Sequence, residues 1–388
     1  MVFFQTELEA SLRSLLEKVY GGALPRVLEA MAKPPTRYYL RANTLKISPE
    51  ELVERLERKG LKASQHPQLK EALSLPLEGP NPVPEYPLKV VVDKFTAESV
   101  MVGAHVYAPG VSSMKGVRKG DMVTILSPKG HVVGSGIAEM DEAEVLLSKQ
   151  GLAVKITDPL YRAPSLRETE EYRKGFFYLQ SLPSMVTVRV LEPKPGETIV
   201  DLNCAPGGKL SHIYQLTGGG AAIYGFDRSP RKIRLTARTL ERLGYRGVKL
   251  IAADSRYVDL DYPEIKADRV LVDPPCSALG VTPKLYDWKT AEDVKSLANY
   301  QRQFLKVAAK IVKPGGIVVY SVCTMTLEEC EENARFAVEK CGLKPEPQPF
   351  HLASTGLPIF AEAELFQRFH PHIHGFGYFI ARFRKPSS

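Results

Sequence analysis

TIVDLNCAPGGKLSHIYQLTGGGAAIYGFD, residues 198–227, reads as a strand, a glycine turn, a helix and a second strand. The apolar run closes on Asp201, Gly207 and Gly208 make the turn, KLSHIYQL has helical spacing, and AAIYGFD is again an apolar strand. The alternation continues downstream. SPRKIRLTARTLERLG is a helix, VKLIAAD and ADRVLVDPP are strands, and a long helix spans about 290–312. GGIVVYSV is a strand, a helix begins at LEECEENARFAVEK, and GYFIARFRK closes the chain as a strand. Strands alternating with helices imply a mostly parallel, doubly wound α/β sheet.

The texture differs upstream. Leu8, Leu12, Leu15, Leu16 and Val19 fall at helical spacing, so residues 7–32 read as short amphipathic helices. PPTRYYLRANTLK reads as a strand, and Ser48-Pro49 opens a helix, ELVERLERKG, that ends at a glycine. LKASQHP reads as a further strand, which makes a small α+β region. EGPNPVPEYP is a linker. LKVVVDKF, HVYAPGV, DMVTILSP, HVVGSGIAEM, AEVLLSKQ and LAVKITD then read as the strands of a small barrel of roughly seventy residues.

Composition excludes several classes. The 388 residues are 44% apolar and 25% charged, enough apolar material for two or three cores without disulfides or metals. Lysine and arginine number 52 against 44 acids, an excess of +8 that suits a polyanionic partner. Cys204, Cys276, Cys323, Cys330 and Cys341 are odd in number and form no C-x-x-C pair, which argues against a disulfide framework and a structural zinc. MVFFQTELEASLRSLL lacks a signal-peptide pattern, and no apolar run approaches about 18 residues. A cytoplasmic protein without a membrane segment is expected.

In an open α/β sheet the ligand lies outside the carboxyl ends of the strands. The first strand ends in Asp201-Leu202-Asn203-Cys204-Ala205-Pro206-Gly207-Gly208-Lys209, where two glycines let backbone approach a ligand. A bare Gly-Gly reads more readily as a tight turn. However, the second strand ends at Asp227, nineteen residues past Gly208, near the offset of an acid that holds a ribose, and the third ends at Asp254, where adenine would lie. Three acidic strand ends do not suit a pyrophosphate. They suit S-adenosylmethionine, which brings a ribose, an amino group and a sulfonium charge.

The fourth and fifth strands end VLVDPPCS and VVYSVCT, so Asp273, Cys276 and Cys323 meet at one sheet edge. A lone cysteine is usually a small buried hydrophobe. Two at matching strand ends beside a carboxylate suit covalent chemistry. Carbon 5 of cytosine attacks a sulfonium methyl only after a thiolate has added to carbon 6, with an acid at ring nitrogen 3 and a base for the carbon 5 proton.

DLNCAPGGK, DRSPRKI, AADS, VDPPCSALG and YSVCT, in this order, resemble the motif series of the Nop/Sun (RsmB-like) family of RNA cytosine-5 methyltransferases. RANTLK, FFYLQSLPS and HPHIHGFGYFIARF are similar to further family segments, so the resemblance covers nearly all of 160–388 and part of 34–75. It implies a Rossmann-like class I methyltransferase domain, with Cys323 as nucleophile, Cys276 resolving the adduct and Asp273 contacting the cytosine. Cys204, Ala205, Pro206, Gly207, Gly208, Lys209, Leu210, Asp227, Lys232 and Asp254, together with Asp273, match the cofactor site. A Pro-Cys nucleophile is the rule in DNA cytosine-5 methyltransferases, which makes Cys276 the rival assignment. The sequence departs from the pattern at Asn203 and Cys204, where Cys and Ala are usual, and at Leu210 and Val322, where threonines are usual.

GAHVYAPGV, VRKGDMVTI and HVVGSGIAEM resemble a PUA domain, an RNA-binding barrel, and a PUA insert is similar to the sixth Sun-domain branch. The resemblance implies a tRNA substrate, read at the acceptor stem and CCA end, with the cytosine at tRNA position 72 as target. The expected organisation is an N-terminal helical and RRM-like α+β region (1–86), a PUA domain (87–160) and the methyltransferase domain (161–388), acting as a monomer. Lys115, Arg118, Lys119 and Lys129 would line barrel loops as phosphate contacts. Segment 228–246 carries seven basic residues against Glu241 alone, either an RNA face or a solvated helix. His370, His372 and His374 would share one face of a strand, although this chemistry needs no metal. Tyr38, Tyr39 and Tyr178 fit core packing better than base stacking. Three alternatives stay open: a non-catalytic RNA-binding assembly factor, an rRNA substrate, and an amino-group methyltransferase using Asp-Pro-Pro.

Overall fold

The computed structural model describes residues 5–387. Residues 1–4, the start of the stretch that lacks a leader pattern, and residue 388 lie outside the described residues. The catalytic sheet runs Lys249–Ala252, Ala222–Asp227, Thr198–Asp201, Ala267–Val272, Val312–Val322, Tyr378–Arg384, Gln367–Phe369, Ser354–Thr355. The first five strands are parallel and Tyr378–Arg384 is antiparallel to its neighbour. Alternation along each strand divides the core in two. Val200, Val270, Val272, Val318 and Tyr320 face one apolar cluster, with Phe304, Leu305 and Ala308 of the helix Ala291–Ile311. Ile199, Leu271, Ile317 and Val319 face another, with Leu210, Ile213 and Leu240 from the helices Gly208–Leu216 and Pro230–Leu243. Strand order reverses beside Thr198–Asp201, the topological switch point at which such sheets bind ligands.

The helices Ala10–Tyr20 and Leu24–Met31 and the Ser48-capped helix Pro49–Glu57 form where the spacing places them. LKASQHP is mostly irregular, with only Ser64–Gln65 pairing as a strand. The N-terminal sheet has the order Phe177–Leu179, Arg37–Ala42, Ala72–Pro76, Ser64–Gln65, so a strand from beyond the barrel completes it.

The barrel sheet is six-stranded, ordered Val106–Tyr107, Leu152–Pro159, Val132–Ala138, Met122–Leu126, Lys89–Val92, Val111–Ser113. AEVLLSKQ, expected as a strand, is the helix Glu142–Ser148. Asp141 and Glu144 form a capping box at its start, and this local hydrogen bonding outweighs the strand-like apolar run. Asp93 likewise caps a helix, Lys94–Val100, where LKVVVDKF reads as unbroken strand. Leu285 and Tyr286, from the catalytic part of the chain, are buried in the barrel's own core. Among the described residues no helix is long and apolar enough to cross a membrane.

Two buried polar clusters fasten the N-terminal module to the helix that carries the glycine turn. Arg41, 1% exposed, donates to Gly208 O (2.8 Å), Ser211 Oγ (2.7 Å) and Gln215 Oε1 (3.1 Å). Its partners are neutral, and burial pushes the guanidinium down to about 10. Glu71 accepts from Arg189 Nε (2.7 Å) and from His212 Nε2 (2.9 Å). Burial opposes the charge on Glu71, but those hydrogen bonds outweigh it and hold the carboxyl well below the usual range. His212 is fully buried, and burial, reinforced by Arg41, pushes it down to about 4. The ring is therefore neutral at pH 7, and its contact with Glu71 is a hydrogen bond.

A histidine depressed in the native state gains its proton earlier in the unfolded chain, near pH 6.5. Stability is then fully present above about 6.5 and falls as pH drops toward about 4, by about 3 kcal/mol from this residue. His370, pushed down to about 3 by burial and Arg368, acts in the same direction. Urea unfolding at pH 7 and pH 4.5 is expected to show a smaller acid loss for His212→Gln than for wild type; equal losses would remove His212 from this account.

Candidate active site

The parallel register pairs Val272 with Tyr320, which sets the next residues, Asp273 and Ser321, side by side. Ser321 Oγ donates to Asp273 Oδ1 at 3.0 Å, and Lys209 Nζ reaches Asp273 Oδ2 at 2.6 Å. Burial works against the Lys209 charge, but the Asp273 carboxylate and then Tyr378 hold the ammonium above its ordinary range. Beyond these strand ends, with Cys323 directly after Val322, the Sγ atoms of Cys276 and Cys323 lie 3.2 Å apart. Both thiols and Asp273 line one cavity of about 310 Å³, at the low end of ligand-pocket sizes.

The two sulfurs are not equivalent. Cys323 is held below the usual thiol range, chiefly by the hydrogen bond from Cys276; burial and Asp273 oppose this, and Lys209 assists it. Cys276 is pushed well above that range by the same hydrogen bond and then by burial. The pair thus shares its proton with Cys276 as donor and the anionic character on Cys323.

The other end of the cavity carries two acids and two bases. Ala205, Asp227, Lys232 and Asp254 line it, as the sequence leads one to expect, together with Asn203, Arg228 and Ser255. Asp227 Oδ1 accepts from Ser229 N at 2.8 Å. Asp254 is held low by hydrogen bonds from Arg256, its Oδ1 2.9 Å from Arg256 Nε. Asp201 does not reach the cavity. It is 1% exposed, braces the turn by accepting from Asn203 N (3.1 Å), and is pushed up to about 7 by burial, with Asp273 adding to the rise. Gly207 starts the helix at φ +101°, a conformation that side-chain-bearing residues rarely adopt.

S-adenosylmethionine fits this donor set. Asp227 and Asp254 offer acceptors for hydroxyls and a cation, and Asn203 Oδ1 is a buried acceptor without a partner among the described residues. Cys204 and Leu210 turn their side chains into the core, so they can contribute only backbone to the loop. Tyr300 and Phe304, four apart on the long helix, also line the cavity with rings 5.1 Å apart, a pairing that their helical spacing hints at.

Lys115, Arg118 and Lys119 are exposed together on one barrel loop. Lys129 is separate: it pairs with Glu7 and lies 4.2 Å over the Trp288 ring, at the joint with the catalytic domain. Of the basic run on Pro230–Leu243, Arg242 stacks on Tyr172 at 3.9 Å, whereas Arg231, Arg234 and Arg238 are exposed. The histidine trio lies on a helical turn, Pro371–His374, not a strand, because His370 and Pro371 start a helix there. His370 Nδ1 is 3.2 Å from Tyr20 Oη, and His374 Nδ1 accepts from His370 N at 2.8 Å. Tyr178 packs on Gly208, and Tyr38 and Tyr39 join apolar clusters.

Because Lys209 compensates Asp273, Lys209→Met leaves a bare carboxylate near Cys323. The pH midpoint of Cys323 alkylation by iodoacetamide, followed by peptide mass, is expected to rise. A midpoint equal to wild type would mean that Lys209 does not tune the thiol.

Comparison with known proteins agrees with this geometry. A family model described as 16S rRNA methyltransferase RsmB/F matches residues 188–384, a PUA domain model matches 88–160, and a ferredoxin-like domain model of RsmF/B-like methyltransferases matches 12–83. The tRNA (cytosine(72)-C(5))-methyltransferase of Pyrococcus horikoshii is 44% identical over 366 residues, covering 93% of this chain and 92% of its own. The mouse tRNA (cytosine(72)-C(5))-methyltransferase NSUN6 is 30% identical over 409 residues, covering 94% and 84%. The crystal structure of NSun6 from Pyrococcus horikoshii with SFG superposes with a TM-score of 0.89 at 42% identity, over 97% of this chain and 98% of that one. Two unequal thiols at adjacent strand ends, an acid-lined cofactor cavity and this similarity lead to one conclusion: the chain belongs to the Nop/Sun, or RsmB/F, family of S-adenosylmethionine-dependent RNA cytosine-5 methyltransferases.

Proposed function

We propose that this enzyme methylates carbon 5 of cytosine 72 in the acceptor stem of tRNA, acting as a cytoplasmic monomer. The observation that carries the chemistry is the 3.2 Å Cys276–Cys323 pair beside Asp273 and Lys209. The choice of tRNA rests on the relatives that bear that activity in their names and on the PUA domain within the same chain. We take residues 1–86, 87–160 and 161–388 as the three functional units, the last borrowing its anchorage from the first through Phe177–Leu179.

Ala205, Asp227, Lys232 and Asp254 hold the cofactor, which supplies an electrophilic methyl group when bound. Cys323, already the anionic partner of the pair, adds through sulfur to carbon 6 of the cytosine. The ring's negative charge moves toward nitrogen 3, where Asp273 and protonated Lys209 hold the balancing proton. Once its sulfur is bonded to carbon, Cys323 no longer accepts from Cys276. After methylation Cys276 passes its proton to solvent as it takes the carbon 5 proton, while the carbon 6–sulfur bond breaks and Cys323 leaves as thiolate. One proton is released per turnover, as substitution of a methyl cation for hydrogen demands.

RNA must deliver the cytosine out of its stack, at a cost of a few kcal/mol that fraying at a stem end reduces. Lys115, Arg118 and Lys119 on the exposed barrel loop are the proposed phosphate contacts.

Incubating wild type, Cys323→Ala and Cys276→Ala with tRNA transcript and cofactor, then running denaturing gels, tests these roles. A covalent band that accumulates with Cys276→Ala and is absent with Cys323→Ala is expected. A band with Cys323→Ala alone would exchange the two roles. Methyl transfer to rRNA fragments and not to tRNA would overturn the substrate.

A further inference from the structure

The two thiols sit on separate loops, and strand pairing ends before either is reached. Gly280 N donates to Cys323 O at 3.0 Å, and the side chain that joins the loops is Glu329, 0% exposed, in the turn that precedes the helix Glu331–Cys341. Its Oε1 accepts from Ser277 N at 2.8 Å and from Gln301 Nε2 at 2.8 Å. Its Oε2 accepts from Ser277 Oγ (2.5 Å) and, at longer range, from Thr324 Oγ1 (3.2 Å) and Thr326 Oγ1 (3.4 Å). Ser277 directly follows Cys276, Thr324 directly follows Cys323, and their hydroxyls are 2.6 Å apart. Gln301 in addition donates to Pro275 O at 3.0 Å, so both sides of Cys276 are tied to the same carboxylate.

Every one of these donors is neutral. Burying a carboxylate against neutral donors is costly, and apolar packing of equal volume would hold a loop at lower cost. What a carboxylate adds is several acceptor sites converging on one point, which suits the fixing of two loops relative to each other. We propose that Glu329 is a positioning residue whose carboxylate locks the Cys276 and Cys323 loops together and so sets the sulfur–sulfur separation. Touching neither sulfur, it acts through Ser277 and Thr324. This deepens the reading of the two thiols given above and rests on it.

Glu329→Gln keeps the shape but replaces an acceptor oxygen with a donor amide. With tRNA transcript, kcat is expected to fall by about 10- to 100-fold, the range that small misplacements of reacting groups produce, with KM for tRNA and Kd for S-adenosylmethionine within about twofold of wild type. A second measurement needs no RNA: the pH midpoint for alkylation of Cys323 by iodoacetamide. Cys323 is faced by Cys276, Asp273, Lys209 and Glu329. Removing the Glu329 charge alone would lower the thiol's midpoint, whereas losing the hydrogen bond from Cys276 raises it. A rise in Glu329→Gln therefore reports displaced sulfurs. A midpoint that is unchanged or lower, in a variant with a cooperative thermal transition, overturns the proposal.

If Glu329→Gln does not fold, the double variant Ser277→Ala with Thr324→Val decides, because it keeps the buried charge and the Ser277 N–H contact. A smaller rise in midpoint supports the proposal, and a wild-type midpoint with wild-type kcat overturns it. Should wild type fail to methylate tRNA while the midpoint still rises in Glu329→Gln, the substrate assignment falls and the role of Glu329 stands.

Discussion

The pairing of Ala267–Val272 with Val312–Val322 is the constraint from which the site follows. Parallel strands in register end at the same height, so the residues just past their ends are forced together. That puts Asp273 against Ser321 and, just past the strand ends, Cys276 against Cys323. A register slip of one residue would send every side chain of the slipped strand to the other face, separating both pairs and exchanging Val318 and Tyr320 with Val319 between two cores. The packing of the sheet and the chemistry at its edge are thus fixed by the same alternation.

The glycine turn that shapes the cofactor site is held from outside its own domain. Arg41, in the N-terminal module, donates to the carbonyl of Gly208, and Tyr178, just upstream of the methyltransferase strands, packs on the same glycine. The strand Phe177–Leu179 binds this contact into the N-terminal sheet. On the opposite side, Leu285 and Tyr286, which follow the Cys276 loop, are buried in the barrel core. Both walls of the cavity are therefore continuous with the N-terminal module on one side and the barrel on the other.

The electrostatics run opposite to those of a pyrophosphate site. Three carboxylates, Asp201, Asp227 and Asp254, mark the first three strand ends, and one of them is sufficiently buried to be pushed up to about 7. Of these, Asp227 and Asp254 line the cavity, together with Asp273, where they favour a cationic ligand and repel thiolate. Lys209 reconciles the two demands: it pairs with Asp273 and helps hold Cys323 below the thiol range.

Much of this was legible in the residues themselves. Strand–helix alternation, the acidic strand ends and the Pro-Pro-Cys and Val-Cys-Thr segments follow from local pattern, because period and turn chemistry are properties of short stretches. AEVLLSKQ was misleading because its apolar run suits either state and a capping box decides the helix. Lys129 reads as a loop cation, yet the joint with Trp288 claims it. The sequence by itself determined the sheet and the cofactor class, and named the thiols and the carboxylate that the structure brings to one cavity. Only the tertiary structure decided that the two thiols lie 3.2 Å apart, that Cys204 and Leu210 face inward, and that Glu329, one acid in a charged run, is buried between two loops. Those outcomes depend on distances between residues tens of positions apart, and hydrogen bonds and burial energies act over a few ångströms of space, whatever the separation along the chain.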